Sequence, residues 1–131
     1  MASYAAKPIR LGRGYTPVFV VVCLSPKAWR KATAKVEGDV CDFPADLDAS
    51  CTHFPAQGDT GPFSLITVGP HILEEGDQAK IMGLLCHEAV HVKQRCEEIM
   101  RTTFDDETEA YLVQHITCAA WHEMRRIVGR K

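Results

Sequence analysis

The chain has 131 residues, of which 46% are hydrophobic and 24% are charged, and its formal net charge is −2. This length fits one domain that can bury a core without disulfides, and the charge balance offers no basic surface for nucleic acid. The longest apolar run, residues 18–24, is too short to cross a bilayer, and no signal-peptide cleavage site follows it. The sequence therefore predicts a cytoplasmic protein without a nucleic-acid or membrane partner.

The first half of the chain alternates short apolar segments with stretches that lack a sustained period. Residues 1–16 have little apolar pattern, and we expect a loose arm there. Residues 17–24 are rich in valine and predict a strand. A Ser-Pro pair then begins a helix that is predicted to end near Val36. Residues 37–61 predict a long loop, and loops of this length are often functional.

The second half of the chain predicts one strand and two long helices. Residues 62–69 form the strand, which ends at a Gly-Pro pair. The first long helix is predicted over about 76–100 and the last over about 106–128, because apolar residues recur there at helical spacing. This order of elements predicts a single α+β domain over 1–131, mainly helical, with one small sheet.

The six cysteines are scattered, and the absence of a Cys-x-x-Cys pair argues against a zinc site built from thiolates. We interpret them as free and mostly buried thiols. Cys41 and Cys51 share the predicted loop, and a disulfide between them stays open. Cys86 precedes His87 on a predicted helix, but about 100° separates their side chains, so we do not assign Cys86 as a nucleophile.

The first long helix contains the residues His87-Glu88-Ala89-Val90-His91, an HExxH sequence. Two imidazoles four residues apart lie on the same helix face, one turn apart, so both can bind one Zn²⁺ ion. Glu88 adjoins this face and can accept a proton from a metal-bound water, whose pKa zinc lowers to about 7. The motif predicts a hydrolytic centre with one zinc per chain, in which His87 and His91 are ligands and Glu88 is the general base.

A hydrolytic zinc site commonly has three protein ligands, so a further ligand is expected from outside the motif. The last helix opens with acidic residues, and Glu107 and Glu109 are about 200° apart, so only one can face the ion. HExxH followed by a glutamate on a later helix resembles the gluzincin metallopeptidases, where the third ligand commonly lies in an ExxA pattern. Residues 107–110 match that pattern with Glu107 as the ligand, although the next position, often Asp in that family, is Tyr111. Glu109, on the apolar side of the helix, is the alternative ligand.

The resemblance covers residues 81–114 and implies a zincin-like domain, with a small sheet packed on the HExxH helix and a C-terminal helix that carries the third ligand. It implies a zinc metallopeptidase that cleaves a peptide or protein substrate. It also implies an edge strand that binds extended peptide by strand addition, for which Phe63–Val68 is the candidate. Four further histidines are candidates to stabilise the oxyanion, of which the first two are better placed: His53, His71, His115 and His122.

Two other interpretations of the motif stay open. In the first, a zincin-fold module keeps the metal for structure and binds its partner without hydrolysis, although a purely structural site has no need of Glu88. In the second, HExxH is a coincidence and the chain is a metal-free helical interaction protein.

Overall fold

The computed structural model describes residues 10–11 and 14–129. Two short antiparallel strands, β1 (Arg10–Leu11) and β2 (Gly14–Tyr15), lie within the segment predicted as a loose arm. Residues 1–9 and 12–13 of that segment fall outside the described part. Across the described residues the chain is an α+β protein that is about half helical, as the sequence predicts in outline.

A three-stranded sheet forms the centre of the fold. It consists of β3 (Phe19–Cys23), β4 (Ala49–Phe54) and β5 (Phe63–Val68) in the order β3-β5-β4. β5 runs parallel to β3 and antiparallel to β4, and all of its residues are buried. The prediction that Phe63–Val68 is an edge strand is therefore wrong, because β5 is the central strand and β4 lies at the edge.

β4 lies inside the segment predicted as a loop, so that prediction is wrong over residues 49–54. Five of its six residues are only half-buried, and their sequence lacks the apolar alternation that marks a strand. Pairing with β5, from Ala49 opposite Val68 to Phe54 opposite Phe63, stabilises the strand instead.

Four helices surround the sheet: α1 (Pro26–Ala32), α2 (Pro70–Glu75), α3 (Gln78–Met100) and α4 (Asp106–Val128). α1 begins at the predicted position but ends before Val36. α2 was not predicted; it ends at Gly76, which has a left-handed φ of 74° and thus separates α2 from α3. The two long helices are confirmed to within about two residues. No helix in the described ranges is both long enough and apolar enough to span a membrane.

The sheet carries a separate apolar cluster on each face, because side chains alternate along a strand. On one face the strands pack against α3 and α4, and on the other they pack against α1 and the loop that follows it. Residues of the first cluster include Val20, Val22, Ile66, Val68, Leu85, Val92, Leu112 and Ile116. Residues of the second cluster include Val21, Cys23, Trp29, Phe43, Phe54 and Leu65. Long helix α3 is thereby held against the sheet along one of its faces.

All six cysteines are free thiols, as predicted, and Cys41 and Cys51 are not bridged. The expectation that most are buried is wrong, because Cys41, Cys86 and Cys118 are exposed. Burial raises the pKa of the Cys23 thiol to about 12, so this residue is an un-ionised part of the core.

Gly69 lies at the junction of β5 and α2, where there is no room for a side chain. An added Cβ would lie 2.3 Å from the Leu47 carbonyl oxygen and 2.6 Å from Cε1 of His71. Gly69→Ala is expected to lower the free energy of unfolding by about 1–3 kcal/mol, because a backbone carbonyl cannot rotate aside. Gly83→Ala is the matched control. Gly83 lies inside α3 with nothing within 4 Å of an added Cβ, so alanine there should raise stability by about 0.5–1 kcal/mol. Urea denaturation measures both, and equal stability of the two variants would contradict the tight packing at Gly69.

Candidate metal centre

Helix α3 presents the HExxH motif near its middle, at a rotation fixed by packing. Asp77 caps the helix by accepting a hydrogen bond from the Lys80 backbone N–H, 3.2 Å away. A stripe of apolar residues on α3 is buried against the rest of the fold: Ile81, Leu85, Ala89, Val92 and Cys96. Beside this stripe, His87 is exposed, His91 is half-buried and Glu88 is only 5% exposed. The two imidazoles therefore lie at the edge of the core, where solvent can reach them.

His87, Glu88 and His91 form a compact group of potential metal ligands. One ligand atom from each lies within 4.8 Å of the others, and the two imidazole centroids are 5.0 Å apart. Among the described residues, it is the one group of three or more histidine, cysteine, aspartate or glutamate side chains that could hold a metal ion. Nδ1 of His91 is 3.0 Å from Oε1 of Gln94. When Nδ1 carries the proton and donates to Gln94, Nε2 is the atom left to bind metal.

The Glu88 carboxyl group is buried beside the two imidazoles. Desolvation is the largest influence on its pKa and raises it, while the charges of His87 and His91 act in the opposite direction. A carboxylate with a raised pKa is a stronger base than an ordinary one. Glu88 also contributes to the raised pKa of Cys51, which is mainly due to burial. Cys51 belongs to β4, which packs against α3, and it lies against the apolar cluster that includes Ala89, the residue after Glu88.

His53 on β4 faces the side of α3 that carries Glu88. Cys51 and His53 are two residues apart on the strand and therefore point to one face of the sheet. Nδ1 of His53 lies 2.8 Å from Oγ of Ser64 on β5. Burial lowers the pKa of His53, and the charges of Arg95 and His91 lower it further, against a raising effect of Glu98. The edge strand thus places an imidazole with a lowered pKa near the second histidine of the motif.

The other three histidines lie elsewhere. Nε2 of His71, at the start of α2, is 2.8 Å from Oδ1 of Asp48 in an exposed pair. His115 on α4 packs against the ring of Tyr111, with centroids 4.2 Å apart. His122 lies exposed, two turns further along α4. Of the four candidates for oxyanion stabilisation, His53 is thus the one whose surroundings include the motif.

The structure does not bring the expected third ligand to the histidines. Lys93 Nζ donates to Oε2 of Glu109 at 2.7 Å and to Oε1 of Glu97 at 3.0 Å, and these bonds raise the pKa of Lys93. Lys93 is two residues after His91 and therefore about 200° from it around the helix. Glu109 thus lies on the flank of α3 that is turned away from the motif.

Glu107 is exposed in the first turn of α4 and does not belong to the histidine group either. α4 packs against α3 through the apolar cluster, and the almost buried Lys93 finds its acidic partners beside that contact. The spacing of Lys93 and Glu97, four residues apart on one helix, is a sequence signal for such a pair. The identity of the third ligand stays a prediction, with Glu107 and Glu109 as its candidates.

Arg95 on α3 is a residue that the sequence motif did not single out. It follows His91 by four residues, so it lies one turn further along the same helix face. The spacing of four residues could have predicted this position from the sequence, because His87 and His91 define the face of α3 that carries the candidate site.

No protein-family model matches the chain, and comparison with curated proteins and with solved structures gave no match. Fold and site together define an α+β domain in which an HExxH helix packs beside the edge strand of a small sheet.

Proposed function

We propose that the protein is a zinc-dependent hydrolase that cleaves peptide bonds, with a zincin-like arrangement of its site. One observation carries the proposal: a buried carboxyl group, that of Glu88, lies in a compact group with two accessible imidazoles. Burying a carboxylate is costly unless a cation compensates it, and a divalent ion at His87 and His91 would do so. Two imidazoles with a nearby carboxylate are a donor set that suits zinc.

The residues of the site divide the chemistry between them. His87 and His91 would hold the ion. Zinc, when bound there, polarises the scissile carbonyl and lowers the pKa of the attacking water. Glu88 takes the proton from that water and delivers it to the leaving amine. When Ser64 donates to Nδ1 of His53, the proton on Nε2 of that histidine is free to stabilise the developing oxyanion.

β4 takes the substrate-binding role that the sequence suggested for β5. It is a terminal strand of the sheet and packs beside α3. The outer edge of a terminal strand has backbone donors and acceptors that an extended peptide can pair with. A peptide bound along β4 would pass the face of α3 that carries the motif.

Zinc content tests the proposal and decides between the candidate ligands. Purified protein offered zinc and then dialysed should retain about one ion per chain. His91→Ala should lose it, whereas His115→Ala, a histidine outside the group, should retain it. Glu109→Gln should keep zinc but melt at a lower temperature, because Lys93 loses one of its two negatively charged partners. Glu107→Gln should weaken zinc binding if that residue completes the site.

The outcomes separate the three interpretations. Zinc binding together with cleavage of a peptide library supports the hydrolase. Zinc binding without cleavage of any peptide supports a binding module instead. Absence of zinc from the wild-type protein, with no change of melting temperature on adding zinc, overturns the proposal and leaves a helical interaction protein.

A further inference from the structure

Arg95 has a guanidinium group that the surrounding residues compensate poorly. Its Nε atom is buried and has no hydrogen-bond partner within the described residues. The carboxylate paired with it is that of Glu98, whose Oε1 lies 3.6 Å from Nη1, beyond hydrogen-bond distance. The side chain of Glu98 is 66% exposed, whereas that of Arg95 is 26% exposed. The positive charge is thus partly withdrawn from water without a close partner.

The position of Arg95 relates it to the candidate metal centre. It lies one turn after His91 on the same face of α3. α3, which carries Arg95, packs against β4, which carries His53, and the charge of Arg95 is the second largest influence on the pKa of His53, after burial. The space between α3 and β4 is therefore bordered by His91 and Arg95 on the helix and by His53 on the strand.

We infer that Arg95 binds a carboxylate of the substrate, and this inference rests on the proposed function. A guanidinium group binds a planar carboxylate through two parallel N–H bonds, which fixes both position and orientation. One helical turn rises about 5.4 Å, and an extended peptide advances about 3.3 Å per residue. The carboxylate therefore belongs to a residue one or two positions from the scissile bond. It is either the C-terminal carboxylate or the side chain of an acidic residue.

Binding of a carboxylate can be measured without any reaction. The Nε–H signal of Arg95 is observed in a ¹H–¹⁵N NMR spectrum and assigned by its loss in Arg95→Gln. Three probes are added to the zinc-loaded and to the zinc-free protein: acetyl-alanyl-alanine, its C-terminal amide, and acetyl-glutamyl-alanine amide. We expect one or both of the carboxylate probes to shift the signal and the uncharged amide to leave it in place. The probe that shifts it identifies the source of the carboxylate.

Hydrolysis gives the second readout. In Arg95→Gln, kcat/KM for peptides with the preferred carboxylate should fall about 10- to 100-fold, the range expected for a lost charged hydrogen bond, mainly through a higher KM. Cleavage of the uncharged peptides should hardly change, and zinc content should stay the same. Arg95→Lys should restore part of the loss because it keeps the charge. Arg30→Gln, an exposed arginine on α1, is the matched control and should behave as wild type.

The two proposals fail in different ways. An equal response of the Arg95 signal to all three probes, or no response to any, overturns the carboxylate inference and leaves the hydrolase standing. A protein that binds no zinc and cleaves no peptide overturns the proposed function, and the NMR titration still decides whether Arg95 binds a carboxylate.

Discussion

Glu88→Gln is expected to slow peptide hydrolysis by about 10²- to 10⁴-fold, the range that a general base contributes. Glutamine has nearly the same shape as glutamate, but its side chain cannot take a proton from the attacking water. His87 and His91 are unchanged in this variant, so zinc should stay bound at about one ion per chain. The measurement is kcat at saturating substrate, with zinc content determined on the same samples.

Glu74→Gln is a suitable control for this experiment, because it makes the same chemical change at an exposed carboxylate on α2. Unchanged hydrolysis in Glu88→Gln would exclude Glu88 as the base. Loss of zinc in Glu88→Gln would instead make Glu88 a ligand, an arrangement that its distance of at most 4.8 Å from the histidine ligand atoms permits.

Leu85→Ala is expected to lower the free energy of unfolding by about 2–5 kcal/mol. Leu85 is completely buried on α3, within the apolar cluster that joins the long helices to the sheet. Alanine there leaves a cavity that the close-packed surroundings fill only in part. Denaturation in urea with zinc removed measures the effect without a contribution from the metal.

Leu84→Ala is the matched control, because Leu84 is the preceding residue and only partly buried. It should cost clearly less than Leu85→Ala. The comparison also tests the rotation of α3, on which the position of the histidines depends. Equal losses in the two variants would mean that the helix presents a different face to the core, and that His87 and His91 lie elsewhere.

The sequence predicted the features that depend on local pattern. The apolar spacing of α3 and α4 gave their bounds closely, and the HExxH spacing placed two imidazoles on one face. β4 was missed because its stability comes from pairing with β5, and residues 49–54 lack the apolar alternation that marks a strand. The burial of all six residues of β5 follows from its central position, and a mainly apolar sequence, here with Ser64 and Thr67 as its polar members, is typical of such strands.

The sequence could not predict which residue is the third metal ligand. Helical spacing gives the angle between two residues of one helix, but it does not say on which flank a second helix packs. Here α4 packs on the flank that carries Lys93, and Glu109 bonds to that lysine. Similarly, the proximity of His53 to the motif depends on the sheet order, with β4 at the edge beside α3.

The position of both motif histidines on one helix has a consequence for the order of folding. α3 and α4 are neighbours in sequence and in space, whereas β3 pairs with β5 only after the long intervening segment is closed into a loop. Contacts of short sequence separation form faster than distant ones. We therefore expect the helical hairpin to form early, with the pair of imidazoles already one turn apart, and the sheet edge to be completed later. Zinc binding then reports on the helical hairpin of α3 and α4, whereas turnover reports on the assembled domain.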